Sequence, residues 1–317
     1  MRSPCPNFIP GWLRVFTSLR VQRASNANQN KRLPSFFILG PPRTGTTWLH
    51  EILRPRTILP SPTKETRFFD RHFHRGLDWY LAHFPESRDD RPAGEVAPTY
   101  FASADARARI AELIPDAKVI CVFRNPVERV LSLYRLKRAY GMLPWTFEQA
   151  MKKDPELFDS GRYATHLKAW CNALGKKQVL VMVYEDLQRN PQVYLNRLTD
   201  FLGIARIPLT RSQHRVINAS EGLTHPRNYF LTRTAAGMAD WFKAARLDGV
   251  LAAVKHKYFL KFLLRSGSSF ESLPPDRTGR LYELFRPEIE ELEAMLNRDF
   301  STWKAGSAKA AELQIAA

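Results

Sequence analysis

Three short apolar runs constrain this chain most: FFIL at Phe36–Leu39, KVICVF at Lys118–Phe123 and VLVMVY at 179–184. None of them alternates polar with apolar residues, so each predicts a strand covered on both faces, which is the setting of a parallel sheet. Helical patterns stand between and after them. They begin at Thr46, cover 103–114 and 127–140, and recur through Tyr163, Leu167, Trp170, Cys171 and Leu174 and again over 191–202. A shorter pattern with an aromatic face covers 77–84, and Leu281, Leu284, Phe285, Ile289, Leu292 and Leu296 keep helical period in the last element. Strand–helix alternation of this kind specifies an α/β fold, a central parallel sheet with helices on both faces.

The ends and one long internal stretch carry the charge. The formal net charge is +17. Residues 1–35 hold six Lys/Arg and no acid, and residues 203–270 hold eleven Lys/Arg against three acids, so these two stretches supply 6 + 8 = 14 of the excess. The expected organisation is a basic extension over 1–33, one globular domain over 34–305 whose part 205–305 is basic and helical, and a tail over 306–317. Trp12, Leu13, Phe16 and Leu19 at helical spacing among arginines suggest a peripheral amphipathic helix able to meet an anionic membrane. No apolar run reaches the roughly 20 residues of a membrane span, and Arg14 and Arg20 interrupt what would be the core of a secretory signal. Cys5, Cys121 and Cys171 show no CxxC spacing and read as reduced residues, so a cytoplasmic location is expected. The charge suits anionic nucleotide, anionic substrate or membrane. No helix-turn-helix, zinc-finger or RNP-type pattern accompanies it, and nucleic acid is not an expected partner.

The first strand runs into GPPRTGTT at 40–47. Gly40-x4-Gly45-Thr46-Thr47 has the spacing of a phosphate loop, GxxxxGK[ST], with Thr46 in the place of lysine. Backbone N–H groups around Gly45 and the start of the next helix form an anion site. The absent lysine removes the group that reaches the β/γ-phosphates of a triphosphate, while Arg43 offers a planar cationic fork inside the loop. A metal-free anion site is therefore expected. The second strand runs into RNPVERVLSLY from Arg124. Arg124 falls at the carboxyl edge of the sheet, where ligands bind. Ser132, two helical turns on, shares a face with Glu128, so Arg124 and Ser132 can converge on one tetrahedral anion. Alternatively, Arg124 is satisfied by Glu128 or by carbonyls.

Together, PPRTGTTWL and RNPVERVLSLY resemble the two nucleotide motifs of sulfotransferases that use 3′-phosphoadenosine 5′-phosphosulfate (PAPS). KETRFFD, GLDWYLAHFP, GEVAPTYF, GRYATHLKAW and the closing FRPEIEELEAMLNRDFSTW resemble the bacterial and heparan-sulfate-type branch. The resemblance implies a P-loop-like sulfotransferase fold and transfer of a sulfuryl group from PAPS to a hydroxyl or amine. The acceptor would be a carbohydrate or another small molecule, and the 3′,5′-bisphosphate PAP the product. It assigns Arg43, Thr44, Gly45, Thr46 and Thr47 to the 5′-phosphosulfate, Arg124 and Ser132 to the 3′-phosphate, and Trp48 to the neighbourhood of adenine. Glu65 is matched to the catalytic base, with Arg43 as the catalytic cation.

Val96 stands where the heparan-type enzymes carry lysine, a departure that bears on the acceptor. A further 3′-phosphate contact is open among Arg227, Arg265, Arg277 and Arg280, and His72, His74 and His83 are rival bases. Trp79, Tyr80, Phe84, Tyr100 and Phe101 suggest an aromatic acceptor cleft, or else core. Two other classes fit parts of the pattern: an ATP- and magnesium-dependent phosphotransferase, and a non-catalytic basic module that binds anions or membrane.

Overall fold

The computed structural model describes residues 33–86, 90–211, 213 and 274–304. The amphipathic segment around Trp12, the basic stretch beyond 213, Arg227, Arg265, Cys5 and the tail lie outside the described residues. So does most of the expected domain part 205–305.

The three anticipated strands form one all-parallel sheet together with a fourth. In chain order they are β1 (Phe36–Leu39), β2 (Gly94–Val96), β3 (Lys118–Phe123) and β4 (Val179–Val183), and the spatial order is β2-β1-β3-β4. Register pairs Phe36 with Gly94 on one side and with Lys118 on the other, and Val119 with Val179. Strand β2 escapes a reading of apolar runs because it is three residues long and centred on a carboxylate, Glu95, which is fully buried.

The helices divide between the two faces as the sheet's side chains do. Phe37, Leu39, Val119, Cys121 and Phe123 point to one face, where they meet α3 (Ala104–Leu113), α7 (Tyr163–Leu174) and α10 (Pro275–Leu296). Phe36, Ile38, Val96, Ile120, Val122 and Met182 point to the other, under α1 (Thr46–Leu53), α8 (Tyr184–Arg189) and α9 (Pro191–Leu202). Alternation along each strand thus fills two cores at once. Between these elements lie α2 (Leu77–Leu81), α4 (Pro126–Ala139), α5 (Phe147–Lys153) and α6 (Pro155–Asp159), and the described chain closes on α11 (Ser301–Lys304). Helix α2 stops at Leu81, three residues short of the 77–84 pattern. Cys121 and Cys171 are both free thiols, Cys121 fully buried. Among the described residues no helix is long and apolar enough to cross a membrane.

Helix α10 buries one stripe against the first core. Leu281, Tyr282, Phe285, Ile289 and Leu292 join the first core, and the Phe285 ring lies 5.4 Å from Phe158 and would meet any Cβ placed on Gly161. Leu284 points outward. Substituting Phe285→Ala should therefore cost about 3–5 kcal/mol, whereas Leu284→Ala should stay within about 0.5 kcal/mol. Urea unfolding of both variants reads this directly. Equal effects would mean that α10 packs by another face.

Candidate functional site

The loop from Gly40 to Gly45 turns tightly against its neighbours. A Cβ on Gly40 would come within 2.7 Å of the Val122 carbonyl, and one on Gly45 within 2.9 Å of the Tyr184 ring. Gly45 also has φ +89°, a left-handed conformation that side chains rarely adopt. Thr44 is fully buried and its hydroxyl donates to the Pro41 carbonyl at 3.0 Å, closing the loop on itself. Arg43 holds φ 83° without being glycine, a strained state of the kind that clusters at ligand sites. Helix α1 starts at Thr46 with no side-chain cap; the Trp48 N–H donates to the Gly45 carbonyl at 3.1 Å, and the N–H groups of Thr46 and Thr47 face the loop end of the helix, where an anion can meet them.

The structure joins this loop to the second motif. Arg43 Nε donates to Ser132 Oγ at 2.9 Å, across 89 residues of chain. Arg43 has no carboxylate partner among the described residues. Burial lowers its pKa, and the nearby Arg124 guanidinium lowers it further. Arg124 lies over the Tyr184 ring, 4.9 Å from its centroid, and Tyr184 is the residue against which Gly45 packs. Two guanidinium groups, a hydroxyl and an uncapped helix start therefore share one edge of the sheet. Arg43 has no acid of its own at this edge among the described residues and a like charge beside it, an arrangement that suits an anion.

Arg124 is held from both ends. Its side chain donates to Glu128 Oε2 at 2.9 and 3.3 Å, the i,i+4 pair anticipated as the alternative reading, so the motif contains its own counter-ion. Its carbonyl accepts from Tyr163 OH at 2.8 Å. Asn125 caps α4 by accepting from Val127 and Glu128, while its own N–H donates to the half-buried Glu185 at 2.9 Å. Glu185 also accepts from the Trp303 indole, and Arg298 grips Asp186 with two bonds of 2.6 and 2.7 Å. The last described turn of the chain thus braces the Arg124 turn. Tyr184, Glu185 and Trp303 were not singled out from sequence. Their part in the site depends on how distant elements dock.

Glu65 is half-buried, and burial pushes its carboxyl above the usual carboxylate range against the pull of Lys64 and Arg67. Its loop is tied down by Glu95, another residue that sequence reading passed over. Glu95 accepts from the Thr66 N–H at 2.7 Å, the Thr66 hydroxyl at 2.8 Å and Tyr80 OH at 2.9 Å, with Tyr100 OH at 3.3 Å. A charged group lying inside GEVAP, where every neighbour is apolar or small, is the signal that could have found it. Burial, reinforced by Glu65 and opposed by these hydrogen bonds, pushes Glu95 up to about 7.

The aromatic cleft does not survive. Tyr80, Phe84, Tyr100 and Phe101 are buried in the core, and the hydroxyls of Tyr80 and Tyr100 serve Glu95. His72 and His83 stand around Trp79, His83 with its ring 4.4 Å away and His72 at 5.6 Å; His74 lies against His72. Trp48 donates its indole N–H to the Gln213 carbonyl at 3.1 Å and meets Tyr194 edge-on. Arg277 pairs with Glu148, and Arg280 is exposed beside it on α10.

Comparison with known proteins gives this site a context. The family model described as the sulfotransferase domain matches residues 33–220, more than half of the chain. The bifunctional heparan sulfate N-deacetylase/N-sulfotransferase 2 of Bos taurus is 36% identical over 196 residues, covering 55% of this chain and 22% of the relative. The heparan sulfate glucosamine 3-O-sulfotransferase 3B1 of Homo sapiens is 34% identical over 202 residues, covering 61% and 51%. The chain thus spans about a fifth of the first relative and about half of the second. A crystal structure of a sulfotransferase from Alicyclobacillus acidocaldarius superposes with TM-score 0.62 over 86% of this chain and 100% of that one, at 21% identity. The parallel sheet with helices on both faces is therefore the sulfotransferase fold.

The raised Glu95 carboxyl has a consequence for stability. Its folded form holds a proton that the unfolded chain releases near the ordinary value of 4.5. The stabilisation from this proton is complete below about 4.5 and is lost as pH rises through about 7. Glu95→Gln imitates the protonated form at every pH. Denaturant unfolding should show the stability of the wild type relative to Glu95→Gln falling by about 1–3 kcal/mol between pH 4.5 and 8. A difference that stays constant with pH would show that Glu95 does not titrate in this range.

Proposed function

The chain belongs to the sulfotransferase domain family, and from that premise we propose that it transfers a sulfuryl group from PAPS to a hydroxyl or amine of a carbohydrate or other small-molecule acceptor, releasing PAP. The observation that carries this reading is the bond from Arg43 to Ser132. It links the loop after β1 to the helix after β3 and leaves a half-buried guanidinium beside Arg124 with no carboxylate of its own among the described residues. A nucleotide with anionic groups at both its 5′ and 3′ positions suits such a pair of joined cationic motifs.

In this reading Arg43, the backbone of Thr44 and Gly45, and the open N–H groups at Thr46 and Thr47 hold the 5′-phosphosulfate. Arg124 and Ser132 hold the 3′-phosphate, and Trp48 flanks the base. PAPS supplies the sulfuryl group, and the bond from sulfur to the 5′-phosphate oxygen breaks as the acceptor atom bonds to sulfur. Glu65 takes the proton that the acceptor loses. Its burial makes it a stronger base than an exposed carboxylate, suited to its task once ionised. A sulfuryl group carries less charge than a phosphoryl group, so positioned cations and dipoles can stabilise its transfer. The two heparan sulfate relatives support a carbohydrate acceptor. Peripheral membrane contact through the basic N-terminal segment and a cytoplasmic setting remain part of the proposal, resting on sequence.

Incubation with labelled PAPS and a panel of saccharide and small-molecule acceptors tests the reaction. Glu65→Gln should lose about 10²–10⁴-fold in turnover while binding PAP as the wild type does, because the base meets the acceptor and not the nucleotide. The acid limb of the wild-type rate profile should lie above the ordinary carboxylate value, since Glu65 must be ionised to act and burial raises its pKa. Glu65→Gln turnover within a few-fold of wild type would remove Glu65 from the mechanism.

A further inference from the structure

The loop lacks an ammonium in sequence, because Thr46 occupies the lysine position of a phosphate loop. The structure delivers one from elsewhere. Lys64 Nζ donates to Thr47 Oγ1 at 3.3 Å, across 17 residues of chain, and lies 3.7 Å from Glu65 Oε1. Only a quarter of the Lys64 side chain is exposed. Burial lowers its pKa, and the neighbouring carboxylates of Glu65 and Glu51 work against that. Lys64 also lines a cavity of about 450 Å³, whose wall includes His50, Glu51, Arg54 and Arg91.

We propose that Lys64 is a second catalytic cation of the transfer site, its ammonium donating a hydrogen bond to the sulfuryl group as it passes from donor to acceptor. The inference rests on the sulfuryl-transfer reading above. It follows from where the ammonium stands, between the exposed Thr47 hydroxyl in the first turn of α1, the half-buried Glu65 and a cavity. A lysine whose only task was to neutralise Glu65 would gain little from turning inward. Its ammonium stands nearer the Thr47 hydroxyl, at 3.3 Å, than the Glu65 carboxylate, at 3.7 Å, and ordering and desolvating a four-carbon stem costs free energy. An ammonium has three N–H donors. The Thr47 hydroxyl takes one, and Glu65 is an ion pair at longer range, so a donor remains for a ligand.

The chemistry balances without moving a proton from Lys64. The acceptor's proton goes to Glu65, the acceptor atom bonds to sulfur, and the electron pair of the broken sulfur–oxygen bond leaves with PAP. Lys64 stabilises the oxygen charge during this exchange and stays protonated throughout. Arginine should therefore replace it in part, and an uncharged side chain of the same length should not.

PAPS and PAP differ by the sulfuryl group alone, which separates contact with that group from general support of the loop. Calorimetry without acceptor should show Lys64→Met binding PAP within about twofold of wild type and PAPS about tenfold more weakly. Turnover should fall about 10²-fold, and Lys64→Arg should recover most of both losses. Unchanged thermal melting of Lys64→Met confirms that its fold is intact. Equal weakening of PAP and PAPS, or turnover within a few-fold of wild type, would overturn the role and leave Lys64 as a structural partner of Glu65. A wild type that binds neither nucleotide would remove the sulfuryl-transfer reading itself, and this inference with it.

Discussion

Strand β1 sits between β2 and β3, parallel to both, and the site depends on that pairing. Phe36–Leu39 aligned with Gly94–Val96 on one side and Lys118–Phe123 on the other brings distant segments to one edge. The loop of Arg43 leaves β1 there, and the turn of Arg124 leaves β3. Glu95, in β2, reaches back to fix Thr66 and so the segment bearing Lys64 and Glu65. A shift of β2 by one residue would turn Glu95 to the opposite face of the sheet. The anchor of Thr66 would be lost, and with it the position of Glu65 relative to the loop of Arg43.

Charge is arranged so that the positive groups facing the edge are weakly committed. Arg43 is bonded only to the Ser132 hydroxyl among the described residues. Arg124 is paired with Glu128, whose side chain is more than half exposed, and pairs of that kind are cheap to rearrange. The firmly held charges lie behind them. Arg298 binds Asp186 through two short bonds, and Arg129 is fully buried with Ser160 and the Leu157 carbonyl as partners. Rigid ion pairs and buried donors shape the turns, and the looser cations remain available to a ligand.

Much of this was legible in the sequence, for physical reasons that also mark where reading stops. FFIL, KVICVF and VLVMVY announce themselves because strands buried on both faces must be apolar throughout. Strand β2 does not, since Glu95 is acceptable in a buried position only because Thr66, Tyr80 and Tyr100 come to it from other elements. The same docking explains the aromatic residues. Tyr80 and Tyr100 invite a reading as cleft walls, but their rings are needed in the core and their hydroxyls by Glu95. The pairing of Arg124 with Glu128 is open to sequence reading because the two are only four residues apart, Arg124 just before the capped start of α4 and Glu128 in its first turn. Contacts between segments far apart in the chain, such as Arg43 with Ser132 and Lys64 with Thr47, depend on the folded path and became visible only with it.

The central claim is that the loop after β1 and the turn after β3 form a single nucleotide site in which Arg124 reads the 3′-phosphate. Calorimetric titration of PAP and of adenosine 5′-phosphosulfate, which lacks that phosphate, into wild type and Arg124→Ala tests it most directly. A hydrogen bond with a charged group contributes about 1.5–3 kcal/mol, and about 1.4 kcal/mol is tenfold in affinity. Arg124→Ala should therefore weaken PAP by about 10- to 100-fold and leave adenosine 5′-phosphosulfate within about twofold. Equal weakening of the two ligands, or no weakening of PAP, would contradict the account.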